Sequence, residues 1–559
     1  MKRLVTRFVS PKPLRDSTNK SGSLVTRMKN AILSVLYLLL LSTQMLLASD
    51  RDGRTIVTQA LMVAEADAST ERQAALQYCQ ACHLFTEPSL LPQAVWRDTM
   101  LPRMGVRLGM HYLFPEYSEA VYFGDSDEEK QRLEAAGVFP SEPQVPEEDW
   151  RALVRYFLEN APTEFPPEDP QRRRIEPGLR TFSTQLWSLN RQPLTTMVKI
   201  DETKRQVFFG DGGAMSLVTL SSSGAVMNEL FTGSPPVDMT ITSAELMVLA
   251  IGFQFPSDLP RGEMLRANFT LDGFRLYPQH VVLDQLKRPV NATWADLSGD
   301  GLQDVLISEF GHRIGALTLY RAERSLAGVT YRPEILLPEP GAMSTYIQDM
   351  DQDGRKDVIV AMGQHREGVF ILYNSVSGYV PSWVVQSPPT RGTAHVDVVD
   401  FDQDGALDLL VSNGDNGDYA PILKRHHGVR LYRNLGDGTF AEIFFYPLNG
   451  AFKALARDFD QDGDLDIAAI AMFADYEHHP EQGFVYLENL SAKGSPFTFK
   501  PRTLTDVSLG RWLTMDAGDL DGDGDLDIVL GSFAGLPHPR QKDWMTKGQP
   551  VLLLENTTR

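Results

Sequence analysis

The run Asp458-Phe459-Asp460-Gln461-Asp462-Gly463-Asp464-Leu465-Asp466, followed at once by Ile467-Ala468-Ala469, decides the architecture of this chain. Carboxylates at positions 1, 3, 5 and 9, a glycine at 6 for the sharp turn and a backbone carbonyl at 7 make the oxygen cage by which a short loop wraps Ca2+. The pattern occurs five times. The other four copies offer Asp296, Ser298, Asp300, Leu302 and Asp304; Asp349, Asp351, Asp353, Arg355 and Asp357; Asp400, Asp402, Asp404, Ala406 and Asp408; and Asp519, Asp521, Asp523, Asp525 and Asp527, the position-7 residue acting through its carbonyl. An EF-hand would place a bidentate Glu at position 12 between two helices. Position 12 here is Ile307, Val360, Val411, Ala469 and Leu530, in runs such as Asp357-Val358-Ile359-Val360 that read as strands. Each copy continues to another strand-like segment, for example Val369 to Tyr373 or Val551 to Leu554, and the copies start 53, 51, 58 and 61 residues apart. Several strands in each repeat of that length is the period of a propeller blade.

These repeats are similar to the FG-GAP/VCBS repeats of integrin-like propellers, over about residues 290 to 559. The resemblance implies one Ca2+ per loop, about five in all, each stabilising its own blade, because the clustered carboxylates would otherwise repel one another. Residues 181 to 290 lack the Asp motif but keep strand-like runs such as Leu246 to Ile251. At the same period they hold about two further blades, so the expectation for residues 181–559 is an all-β propeller of seven blades.

Only two cysteines occur, in Cys79-Gln80-Ala81-Cys82-His83. Two thiols at this spacing can each add to a vinyl group of one haem, with the adjacent imidazole as the axial iron ligand. A zinc site would need two more soft ligands, and a thioredoxin-like pair would want a βαβ context. The flanks instead read as helical: Thr70 to Gln73 can form a capping box, and Trp150, Leu153, Val154, Phe157 and Leu158 recur at helical spacing after Pro146. This resembles a class I c-type cytochrome domain over roughly residues 65 to 162, whose last helix packs across its first. The resemblance implies one covalent haem c on Cys79 and Cys82 with His83 on the iron. The family's methionine before the last helix is missing from Gly137 to Pro140; Met104 is the substitute, with Met100, Met110 and His111 as rivals.

The expected organisation is therefore multidomain: a signal peptide or signal anchor over 1–50, a small all-α cytochrome c-like domain over 55–162, a Pro-rich charged linker over 163–180, and the propeller. The N-terminus has basic residues before an apolar run from Ala31 to Leu41. A start at Met28 would give ordinary proportions, and cleavage after Ala48 competes with an uncleaved membrane anchor. A formal charge of −20 offers no basic face for phosphates and excludes a nucleic-acid partner. Seven of the eleven histidines fall in the connection after each calcium loop and its strand: His312, His365, His426, His427, His478, His479 and His538. They are expected to ring one mouth of the channel, where they would bind a transition metal, an anion or a partner, or be solvated loop polarity. Function then divides between two classes. One is one-electron transfer outside the cytoplasm, with a redox partner protein or small-molecule donor docking on the propeller as part of an oxidoreductase system. The other is a recognition or adhesion propeller with an auxiliary haem domain. A quinoprotein-like dehydrogenase ranks last, lacking a recognisable quinone-binding constellation.

Overall fold

The computed structural model describes residues 70–115, 126–165, 174–241, 245–269, 276–326, 328–415, 422–491 and 496–558. The expected targeting segment and its apolar run lie outside them. Among the described residues no helix is long and apolar enough to cross a membrane.

The first of these residues form a small helical module. Its helices are α1 (Thr70–Cys79), α2 (Leu101–Arg107), α3 (Asp127–Ala135) and α4 (Glu147–Asn160), with a wide turn over Trp96–Met100 leading into α2. Ser126 caps α3 by accepting the Glu129 amide, and three acids in the first turn of α4 favour its N-terminus. The apolar face of α4, Trp150, Leu153, Tyr156 and Phe157, packs against Ala75 of α1 and against Trp96 and Leu101. Tyr78 donates to Asp149 at 2.7 Å, tying the two helices where they cross.

The chain then builds seven sheets arranged as a β-propeller. Blade 1 runs from Thr195 to Phe231, blade 2 from Pro236 to Leu286, blade 3 from Pro289 to Leu337, blade 4 from Ala342 to Gln386, blade 5 from Thr393 to Pro447, and blade 6 from Ala451 to Thr503. Blade 7 combines Trp512–Gly518, Asp527–Ser532 and Val551–Asn556 with an outermost strand, Phe182–Leu186, from the opposite end of the propeller, so that Phe182 lies opposite Asn556. The seven-blade expectation holds, with blades 1 and 2 in the stretch that lacks the Asp motif. The end of the stretch read as linker is not free: Glu176–Pro177 adds a fifth, parallel strand to blade 6, and Glu176 pairs with Lys500 at 3.1 Å.

The second strand of every motif-bearing blade is buried along its whole length, as in Asp357–Met362 and Asp527–Ser532. Neighbouring blades cover both of its faces, which is why these strands read as unbroken apolar runs rather than alternating ones. The innermost strands are edges, whose outward N–H groups have no partner in their own blade. The blade before supplies one: Asp238 accepts from the Ala292 amide, Asn291 from Thr345, Ser344 from Val396, Asp397 from Ala456 and Asp516 from Ile200, at 2.8–3.3 Å. These clamps stitch the ring around its axis.

Candidate functional site

Each Asp motif joins the innermost strand of its blade to the second, so all five loops lie at one end of the ring. In blades 4 to 7 the acids at positions 1, 3 and 5 converge: Asp349, Asp351, Asp353; Asp400, Asp402, Asp404; Asp458, Asp460, Asp462; and Asp519, Asp521, Asp523 each offer oxygens within 4.8 Å of one another. In blade 3, Ser298 stands between Asp296 and Asp300, and Asp296 holds the Gly299 and Gly301 amides. Position 6 has φ between +82° and +98° in all five loops, which glycine adopts freely. The acid at position 9 has a second role. Asp304, Asp357, Asp408 and Asp527 accept two backbone amides each, one within the loop and one from the third strand, and Asp466 accepts the Asn489 amide and the Tyr486 hydroxyl. These buried carboxylates tie the start of the second strand to the third, and in four of the five blades to the loop as well.

Burial and its neighbours push Asp464 up to about 6 and Asp466 up to about 7. Arg355 answers some of the loop charge on Asp353, and Arg433 on Asp402. Among the described residues the blade 6 loop, with five acids at alternate positions, has no such arginine.

Position 4 was missed from the sequence. Gln352, Gln403 and Gln461 take φ of +59° to +60° there, where the loops of blades 3 and 7 carry Gly299 and Gly522. Each glutamine reaches the next blade: Gln352 donates to the Gly405 carbonyl at 3.2 Å, Gln403 to Gly463 at 2.6 Å and Gln461 to Gly524 at 3.0 Å. The loops of blades 4 to 7 are thereby linked in series. The recurrence of Gln where glycine is easier was the available signal.

Cys79 ends α1, and Cys82 and His83 follow in the turn. Both thiols are free. The Cys79 thiol is pushed up to about 12 by burial and by the nearby Cys82. His83 Nδ1 lies 2.9 Å from the Leu84 carbonyl, a contact that fixes the ring and leaves Nε2 to face a metal. Burial lowers the His83 pKa, the Leu84 carbonyl opposes this, and the charge of His365 adds to the lowering. Of the other residues expected as iron ligands, Met110 is buried with the Tyr112 hydroxyl 4.0 Å from its sulfur, and His111 Nε2 lies 2.9 Å from the Pro140 carbonyl. Met100 and Met104 lie one turn apart, half-buried on the same core as Cys79.

The module docks on the end opposite the Asp loops, over the connections between second and third strands. Glu129 of α3 accepts the Asp258 amide at 2.6 Å, Arg132 donates to the Asp258 carbonyl at 3.2 Å, and Ile422 of the blade 5 connection touches the module's core. The Asp258 carboxylate accepts the Arg313 and Ile314 amides from blade 3 and pairs with the Arg313 guanidinium at 3.2 Å.

The seven histidines do lie at this end, but their side chains are engaged one loop at a time. His365 pairs with Glu339, His478 with Asp475 and His479 with Glu481, while His538 Nδ1 accepts the Arg540 amide. His426 and His427 both point Nε2 at the Thr390 carbonyl, at 2.8 and 3.2 Å, and His312 is buried. Among the described residues no trio of ligating side chains within metal reach includes a histidine. The imidazoles are engaged by nearby carboxylates and carbonyls, the loop-polarity side of the expectation.

Residues 349–411, from the blade 4 loop to the second strand of blade 5, match the FG-GAP-like repeat family. No curated protein sequence matches the chain. Among solved structures it is similar to virginiamycin B lyase from Staphylococcus aureus, at 13% identity and a TM-score of 0.41, covering 67% of this chain and 99% of that one. It is also similar to the periplasmic gluconolactonase of Pseudomonas aeruginosa, at 11% identity and a TM-score of 0.37, covering 55% of this chain and 85% of that one. A propeller with FG-GAP repeats fits a docking or recognition module.

Proposed function

We propose that this protein is an exported c-type cytochrome that transfers single electrons through one covalent haem, with a calcium-stabilised propeller that docks its redox partner. The observation that carries this reading is the Cys79-Cys82-His83 motif at the end of α1, with both thiols free and His83 Nδ1 on the Leu84 carbonyl. The donor set fits the group: Cys79 and Cys82 would hold haem c, His83 would ligate its iron, and Met104 would be the second ligand, with Met100, Met110 and His111 as rivals. Haem supplies a centre that cycles between ferric and ferrous states. The chain's own part is to fix the end of α1, which carries the motif, by packing that helix on Trp96, Trp150 and Phe157, and to hold the module against the propeller through Glu129 and Asp258. Placed on that end, a donor or acceptor would meet the haem and the propeller together.

The deciding experiment is a pyridine haemochrome assay on protein from a host that matures c-type cytochromes. One haem per chain, retained on denaturation and lost in Cys79→Ala with Cys82→Ala, is the expected result. A folded, colourless protein would leave the recognition reading in its place.

Calcium held by the five loops is part of the same proposal. At a concentration a hundred times the dissociation constant, each ion adds about 2.7 kcal/mol to folding stability, so chelation should lower the unfolding temperature sharply. If the glutamine bridges couple the loops, Gln403→Gly keeps the backbone turn but removes the contact to Gly463. Terbium luminescence titrations should then show weaker binding and reduced cooperativity, from the loss of about 1 kcal/mol. A titration curve identical to that of the parent would show the bridge to be inert.

A further inference from the structure

The innermost strands enclose a cavity of about 900 Å3 along the ring axis. At its module-facing end it is lined by phenylalanines, Phe310, Phe473 and Phe533 each following the last residue or two of a second strand. Deeper in, Lys199 and Lys453, on the innermost strands of blades 1 and 6, line it together with His395, Asp238 and Asp516.

The hydrogen bonds in this cavity are unevenly spent. Asp238 accepts the Ala292 and Met239 amides and the Asn291 side-chain amide, and Asp516 accepts the Ile200 amide, so these acids serve the blade-to-blade clamps. Lys199 and Lys453 feel Asp516 and Asp238 only as charges at a distance, and among the described residues neither ammonium group has a hydrogen-bond partner. His395 is 7% exposed, and its Nδ1 has no partner. Burial and the charges of Lys453 and Arg457 keep that imidazole neutral, so one ring nitrogen can present a proton. What the protein leaves unspent is therefore mainly donors, and enclosed donors without acceptors are costly. Two ammonium groups beneath a phenyl-lined mouth select an acceptor-rich anion with a carbon skeleton over a bare inorganic ion.

We propose that the propeller channel is a binding site for a small organic carboxylate, held by Lys199 and Lys453 below the phenylalanine-lined mouth. This goes beyond the electron-transfer reading and does not depend on it, because the site is built from propeller residues alone.

The test is isothermal titration calorimetry of the full-length protein with benzoate, succinate and inorganic phosphate at fixed ionic strength, beside Lys199→Met and Lys453→Met. The expected result is saturable one-to-one binding of at least one carboxylate, at least tenfold tighter than phosphate and at least tenfold weaker in each variant. Lys199 is the more exposed of the two lysines and so the variant better placed to leave the fold intact, which circular dichroism checks directly. No saturable carboxylate binding, phosphate binding as tightly, or undiminished binding by folded Lys199→Met would each overturn the proposal. Because the readout is heat of binding rather than haem reduction, its failure would leave the cytochrome reading standing, and the reverse also holds.

Discussion

Taking the protein from about pH 7.5 to about pH 5 in saturating calcium should cost roughly 2 kcal/mol of unfolding free energy at His426 alone. In the unfolded chain an imidazole takes up its proton near pH 6.5. In the fold, burial pushes His426 down to about 4; the Thr390 carbonyl opposes this, and the Lys424, Arg430 and Arg391 charges reinforce it. His427, His395 and His312 are held down by the same burial. Between these limits the unfolded state binds more protons than the native one, so stability is full above about pH 6.5 and falls as the pH drops toward 4. Excess calcium matters because the loop carboxylates, raised by burial and mutual repulsion, shift stability in the opposite direction when empty. Urea titrations across this range should show the loss, and His426→Gln with His427→Gln, which keeps donors for the Thr390 carbonyl, should flatten it. An unchanged slope in the double variant would place the acid sensitivity elsewhere.

Asp258→Ala should be the most damaging single change at the junction, with a loss of about 3–5 kcal/mol. The side chain is buried, and its removal strands two backbone amides and takes the ion-pair partner from the Arg313 guanidinium, which is itself 9% exposed. Glu129→Ala separates the two jobs of this corner, because it releases α3 from the Asp258 amide while leaving the pairing of blades 2 and 3 intact. Limited proteolysis should therefore free the helical module from a stable ring in Glu129→Ala, whereas Asp258→Ala should also lower the ring's own unfolding midpoint. Equal midpoints for the two variants would deny Asp258 its role between the blades.

The fold was largely legible because its signals are local and repeated. Five loops with fixed spacing, each running into an apolar strand, announce blades without any long-range information. Even blades 1 and 2 could be counted from the period. The closing strand Phe182–Leu186 was not legible, since nothing in Phe-Ser-Thr-Gln-Leu names a partner some 370 positions away. In the module, helical periodicity placed α1 and α4 correctly. The sequence alone left four candidates for the sixth ligand, Met104, Met100, Met110 and His111, because a second iron ligand is set by tertiary placement rather than by spacing. The histidines left two readings open for the opposite reason. Their recurrence in one connection was real, but whether side chains meet across loops depends on competing local acceptors such as Glu339, Asp475 and the Thr390 carbonyl. Asp258 and the channel lysines carried no motif, because burial and clamping are properties of the assembled ring.

The strand order of blade 7 also governs how such a molecule is made. Val551–Asn556 is sandwiched between Asp527–Ser532 and Phe182–Leu186, so the ring cannot shut until nearly the whole chain has been delivered. Contacts of such sequence separation form late and slowly. A chain delivered N-terminus first would thus wait as an open crescent with the innermost edges of blades 1 and 6 unmatched, and losing only the last strand would detach Phe182–Leu186 from blade 7.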